Sequence, residues 1–224
     1  MEKSIHLLFC VLILFIFSQT TNAQFKMKVG PQLGLNFNIG VGSDLQQTPT
    51  GFGFVFGGQV DMNFTPMIGL IANLQFYDNR SGSYSHDGTI QNGSPYTETI
   101  GTSIAYFMVE PLFKLAIPRS GFYFVMGPMM GFNIEGSQEN SVTSPNNDVF
   151  YGGIQGQTTQ KFTLQNMNVR FGIKFGSGYD ITLSRLIDLT PQFNFEYGIT
   201  NVRSNVSSKI LTFQVLVGCK FKVL

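Results

Sequence analysis

The residues able to do chemistry fall into two groups. The first is Ser83-Tyr84-Ser85-His86-Asp87-Gly88, which carries the single histidine left once an N-terminal leader is set aside. Nucleophilic hydrolysis or acyl transfer needs a hydroxyl, a base to take its proton and a third group to orient that base. Ser85, His86 and Asp87 have the types for a lipid-modifying site. Neighbours in a loop do not easily converge into a triad, however, and all three are common in solvated segments. No Cys/His cluster has zinc spacing. Asp78-Asn79-Arg80-Ser81 and Asn146-Asn147-Asp148 are weak cation candidates of the kind that Asx-rich loops supply by chance. Gly152-Gly153-Ile154-Gln155-Gly156 lacks the following helix that a phosphate cradle requires. No catalytic, cofactor-binding or metal-binding residue is assigned, no cofactor is expected, and the chain reads as non-enzymatic.

The second group is a set of isolated charges: Asp61, Glu110, Lys114, Arg170, Lys174, Asp188, Glu196 and Lys220, four of each sign. Each stands on the polar side of a segment that alternates with period two. Mixed charges confined to one narrow space should pair, because an unpaired charge there is costly. The expectation is a structural ion-pair network, with a selective ion path as the sharper alternative.

Strands must position these charges. In Gly121–Ile134 the residues Phe122, Phe124, Met126, Pro128, Met130, Phe132 and Ile134 alternate with Tyr123, Val125, Gly127, Met129, Gly131 and Asn133. Successive strand side chains point to opposite faces, so one face is greasy throughout and the other small or mixed. The same pattern recurs over 26–40, 51–64, 68–77, 103–117, 162–183, 187–200 and 209–223. Eight strands result. Their connections alternate between polar loops (41–50, 78–101, 135–161, 201–208) and tight turns (65–67, 118–121, 184–186). Even strand number, short periplasmic turns and longer extracellular loops mark a transmembrane barrel. The expected fold is all-β: an eight-stranded antiparallel transmembrane β-barrel with short periplasmic turns and long extracellular loops. A wide pore needs about sixteen strands, so an open channel is disfavoured.

Composition agrees. Only 12% of the 224 residues are charged, Gly numbers 25 and Phe 23, and no segment approaches the ~20 apolar residues of a spanning helix. A net charge of +1 gives no reason to expect nucleic acid. Lys3, the apolar run Leu7–Phe17 and Thr21-Asn22-Ala23 read as a secretory signal over 1–23, leaving 24–224 as the mature barrel. Cys10 leaves with that signal, so Cys219 has no intrachain partner. A soluble lipocalin-like barrel would turn the greasy face inward, but the polar face here is mostly Gly, Asn and Gln rather than solubilising Lys and Glu.

Gly34-Leu35-Asn36-Phe37, Gly57-Gly58-Gln59-Val60, Val109-Glu110-Pro111-Leu112-Phe113-Lys114, Tyr123-Phe124-Val125-Met126-Gly127-Pro128 and Asn168-Val169-Arg170-Phe171-Gly172 carry a family resemblance. Over essentially the whole mature chain the sequence resembles the small, PorT-like outer-membrane β-barrel domain family of Bacteroidota. The absence of Trp departs from the usual aromatic girdle, which Phe and Tyr must then supply. The resemblance implies the outer membrane of a Gram-negative bacterium, and for the family's named member a part in protein secretion. The expected role is structural or surface-interacting through the loops 78–101 and 135–161. A secretion or transport assembly is the alternative, and lipid modification the third reading. Expected partners are outer-membrane lipid and lipopolysaccharide, with a ligand or protein at the extracellular loops.

Overall fold

The computed structural model describes residues 25–223 apart from 46, 90–92, 145–148, 151–153, 156 and 205; the leader therefore lies outside the described residues. The described strands, in chain order, are β1 (Lys26–Val41), β2 (Thr50–Asn63), β3 (Ile68–Thr89), β4 (Pro95–Ala116), β5 (Phe122–Thr143), β6 (Val149–Phe150), β7 (Ile154–Gln155), β8 (Gln157–Thr163), β9 (Arg170–Tyr179), β10 (Ile181–Thr182), β11 (Ile187–Gly198) and β12 (Lys209–Lys222). Eight of them close a ring in the order β1-β2-β3-β4-β5-β9-β11-β12, with β12 antiparallel to β1. Closure removes the free edges that hydrocarbon would leave unpaired.

Alternation fixes which way each residue faces. Leu33, Leu35, Phe52, Phe54, Phe124, Phe193 and Val215 are exposed around the outside, Phe52 at 74%, while Gln32, Asn36, Gln59, Asp61, Gln192 and Gln214 are buried inside. Outer aromatics meet across strands, as in Phe37–Phe52 at 5.1 Å, Phe54–Tyr77 at 5.2 Å and Phe195–Phe213 at 5.3 Å. A Cβ on Gly30 would collide with the Cys219 carbonyl of the neighbouring strand, so this position of the β1–β12 seam has room only for glycine.

Four prolines sit on the outer face, and each stands where one of its two ladders lapses. Residue pairing between β4 and β5 is interrupted between Val109↔Met130 and Phe113↔Met126, the interval that holds Pro111 and Pro128. Pairing between β1 and β12 is likewise interrupted between Val29↔Phe221 and Gln32↔Gly218, around Pro31. A residue without an N–H is tolerated where no ladder bond is asked of it. Pro191 pairs with Val217 on one side and on the other falls in the gap between Gln192↔Gly178 and Leu189↔Ile181.

Two segments read as loops are largely strand. β3 runs on to Thr89 and β4 begins at Pro95, so most of 78–101 is a hairpin. β5 continues to Thr143 and pairs with β8, which takes up much of 135–161. The sixth segment, 162–183, is instead divided among the end of β8, β9 and β10. Beyond the lipid both strand faces meet water or polar neighbours, so no apolar alternation marks these extensions in the sequence.

A bulge explains a further difference. Gln75 faces Met108 and Asp78 faces Tyr106, so Phe76 and Tyr77 together oppose the single residue Phe107. Both aromatics stay off the lumenal face while Asp78 and Arg80 turn inward, at 0% and 1% exposure. Deleting Tyr77 should remove the extra residue yet keep every later pairing, and the protein should still refold in detergent with the unheated gel mobility of a closed barrel. Deleting Asn79 should turn Arg80 outward and abolish that mobility. Equal behaviour of the two deletions would contradict this account of the bulge.

Candidate functional site

The lumen is filled by polar side chains in two layers of charge. Near the short turns, Asp61 accepts from Lys114 at 2.8 Å and Lys220 at 2.7 Å. Lys220 also reaches Asp180 at 2.6 Å, and Lys28 reaches Asp188 at 2.7 Å. The Tyr123 ring lies under both amines, 4.5 Å from Lys114 Nζ and 5.3 Å from Lys220 Nζ, while its hydroxyl accepts from Gln192 at 2.8 Å.

Towards the other end, Lys174 donates to both Glu110 oxygens at 2.6 Å, to Gln214 at 2.9 Å and pairs with Glu196 at 2.9 Å. Asn73 and Gln75 also donate to Glu110, at 3.0 and 3.2 Å. Arg80 joins Glu196, at 2.8 Å, to Asp78, and Asp78 in turn accepts from Asn36 at 2.6 Å. Arg170 stands 3.8 Å from Glu196 and donates to the Ile210 carbonyl.

The eight charges singled out in the sequence are therefore placed together inside the ring, each no more than 4% exposed. Four further members were missed. Lys28 follows from the alternation of β1, but Asp78 and Arg80 lay in a segment read as a loop and needed the bulge to point inward. Asp180 sits between β9 and β10, inside a span read as one continuous strand. Two adjacent aromatics, Phe76-Tyr77, were the available signal for a break in the alternation.

The Ser85, His86 and Asp87 constellation is pulled apart by the strand that carries it. Ser85 pairs with Thr99 at 2.8 Å and Thr97 donates to Asp87 at 2.7 Å, both on the outer face of the β3–β4 hairpin. His86 points to the opposite face, 3.4 Å from Glu98. Strand alternation alone forbids these three from converging. Asp78 and Arg80 are likewise committed to each other rather than to a cation, and Asn146-Asn147-Asp148 lies outside the described residues. Among the described residues no three His, Cys, Asp or Glu side chains gather as a metal site would need.

At the end opposite the short turns, the lumen opens into a cavity of about 210 Å³. The segment after β1 closes one side, where Asp44 accepts from the Ser207 N–H at 2.8 Å and from Ser43 at 3.0 Å. These bonds hold the Asp44 carboxyl below its usual range. The hairpin β3–β4, with β5 and β8, rises past this mouth. Its outer face is lined by Thr99, Ser103, Ser137, Glu139, Ser141 and Lys161 around an open groove of about 740 Å³.

A closed eight-stranded ring with an apolar exterior and a charge-paired interior defines a transmembrane β-barrel. The outer membrane protein beta-barrel domain family matches residues 17–204, and the chain belongs to that family. Curated proteins give no match. Similar solved structures include Ail, the attachment invasion locus protein of Yersinia pestis, in complex with the heparin analogue sucrose octasulfate (9% identity, 88% of this chain and 99% of that one, TM-score 0.33). They also include OprG from Pseudomonas aeruginosa (10%, 90% and 97%, 0.37) and the outer membrane protease OmpT from Escherichia coli (9%, 91% and 99%, 0.32). At such identities and scores none of them bears on what this chain does.

Lys174 is the shared cation of the upper layer. Lys174→Met should leave Glu110 and Glu196 under-compensated and lower unfolding stability by about 3–5 kcal/mol, read from urea unfolding in lipid vesicles. Adding Glu110→Gln should recover part of the loss. An unchanged midpoint for Lys174→Met would show that the layer does not hold the barrel together.

Proposed function

We propose that this protein is a non-enzymatic, closed outer-membrane barrel of a Gram-negative bacterium whose projecting sheet engages a ligand or partner at the cell surface. In this reading residues 1–23 are a cleaved export signal and 24–224 the mature barrel. Outer-membrane lipid and lipopolysaccharide lie against the Phe-rich exterior, and the short turns face the periplasm. The eight sequence-identified charges, with Lys28, Asp78, Arg80 and Asp180, act structurally by filling the lumen.

The observation that carries the surface role is the length of β3, β4 and β5, each 22 residues against 12 for β11. Strands that span the hydrocarbon at a tilt need only about 9–11 residues, so roughly half of each long strand stands beyond it. Extending three neighbouring strands and adding β8 builds a sheet that barrel closure does not require. That sheet carries the Ser85–Thr99 and Ser141–Thr159 hydroxyl pairs, the latter at 3.0 Å, and is suited to polar recognition rather than to burial.

The alternative, a PorT-like part of a Bacteroidota secretion or transport assembly, would place partners at the periplasmic turns. A photo-crosslinking residue at Thr99 or Ser141, compared with one at the exposed turn residues Met67 or Leu186, separates the two in intact cells. Adducts from Thr99 and Ser141 with none from Met67 and Leu186 are expected. The reverse pattern would replace the surface reading with the assembly.

A further inference from the structure

The mouth cavity has a lining that the structural role of the lumen does not use. Its charged side chains are Arg80, Arg203 and Lys209, with no carboxylate among the lining residues. Deeper in, cations and carboxylates answer one another. Arg80 and Arg170, with Lys174, face Asp78, Glu110 and Glu196. Arg203 and Lys209 stand outside that balance, so the mouth carries positive charge that the network does not neutralise.

Unused donors lie in the same place. Arg80 spends Nη2 on Asp78 and Glu196, while its Nε and Nη1 are buried without a hydrogen-bond partner. Asn38 is 3% exposed and accepts from Thr212 at 2.9 Å, yet its amide nitrogen has no partner. The Arg203 Nε is in the same condition. All three residues line the cavity. A buried donor calls for a partner, and four unmatched donor atoms on three residues around one cavity mark a place for an acceptor.

Much of the remaining wall is apolar, with Leu45, Ile100, Ile104, Leu164, Val202 and Ile210, while Ser81, Tyr84, Thr102, Gln138 and Ser208 add hydroxyls and an amide. Ile104 belongs to a packed cluster with Tyr106, Met108 and Met129, against which Leu164 and Val202 also rest, so this wall is continuous with a formed core. Such a wall gives little to a fully hydrated ion. It favours an anion with an apolar body that buries its greasy part while its charged end meets the donors. The volume of about 210 Å³ falls below the ~300–1,000 Å³ of drug-sized sites, which limits that body to a single ring or a short acyl chain.

We infer that the barrel mouth is a binding site for a small free organic acid, its carboxylate held by Arg80, Asn38, Arg203 and Lys209 and its apolar body packed on Ile104, Leu164 and Val202. The site depends on the barrel fold but not on the projecting sheet having a partner, so failure of the crosslinking experiment leaves it standing.

The test uses the full mature protein in lipid nanodiscs, observed by fluorine NMR. The probe is 4-fluorobenzoate, and the comparisons are uncharged fluorobenzene and unlabelled inorganic phosphate as a competitor. Saturable binding of 4-fluorobenzoate is expected, with fluorobenzene weaker and phosphate a poor competitor. The variant Arg203→Glu/Lys209→Glu spares the buried network and should retain the heat-dependent gel shift of a folded barrel. Its affinity should fall about tenfold or more, as reversing two charges beside one carboxylate in a poorly hydrated site does. The proposal is overturned by any of three results: no saturable binding, equal affinity in wild type and the folded double variant, or inorganic phosphate displacing 4-fluorobenzoate when present at the same concentration as the probe.

Discussion

In hydrocarbon every backbone N–H and C=O must find a partner within the protein, and from that constraint the rest of this structure follows. A sheet meets it only by closing on itself, here where β12 pairs with β1 from Lys28↔Lys222 to Val41↔Lys209. Once the ring is closed, the period-two alternation of each strand decides the chemistry of both sides. Phe, Leu and Ile go to lipid, and whatever charge the strands carry is forced into one narrow interior. That interior tolerates the charges because both signs are present and because Asn and Gln side chains supply the remaining hydrogen bonds, as Asn73, Gln75 and Gln214 do around Glu110 and Lys174.

The same confinement links the inner layers to the mouth. Lys174 and Arg80 each bridge carboxylates from different strands, so the upper layer ties β3, β4, β9 and β11 together; Lys174–Glu196 joins ladder partners, while Arg80–Glu196 and Lys174–Glu110 join strands that are not neighbours. Arg80 is also the point at which the network ends. Its Nη2 is committed to Asp78 and Glu196, and the residue also lines the mouth cavity together with two further cations, Arg203 and Lys209. A structural residue at the boundary of a packed network thus doubles as the floor of a site. Asp44, tied to Ser207, joins the two connecting segments beside it.

How much of this could be read from the chain depends on where lipid touches it. Within the membrane the alternation is enforced on the outer face, so the eight-strand pattern and eight of the charges that the structure places in the lumen could be picked out from spacing, although Lys28 was passed over. Past the membrane the enforcement stops. Ser81, Ser83, Thr97, Thr99 and Ser141 look like loop residues, and only pairing with neighbouring strands makes them β-structure. Asp78 and Arg80 were lost for a different reason. A bulge at Phe76-Tyr77 resets the alternation, and a strictly periodic reading cannot cross it. The Ser85–His86–Asp87 cluster shows the opposite error, where suggestive neighbours in sequence are separated by the strand's own geometry.

The central claim is that paired charges close the lumen, and ionic conductance of the purified barrel in a planar lipid bilayer tests it most directly. A filled interior predicts insertion without a steady ohmic current at neutral pH. A stable conductance in proportion to the protein inserted would mean that the Asp61 and Glu110 layers leave a continuous wet path, and would contradict the account.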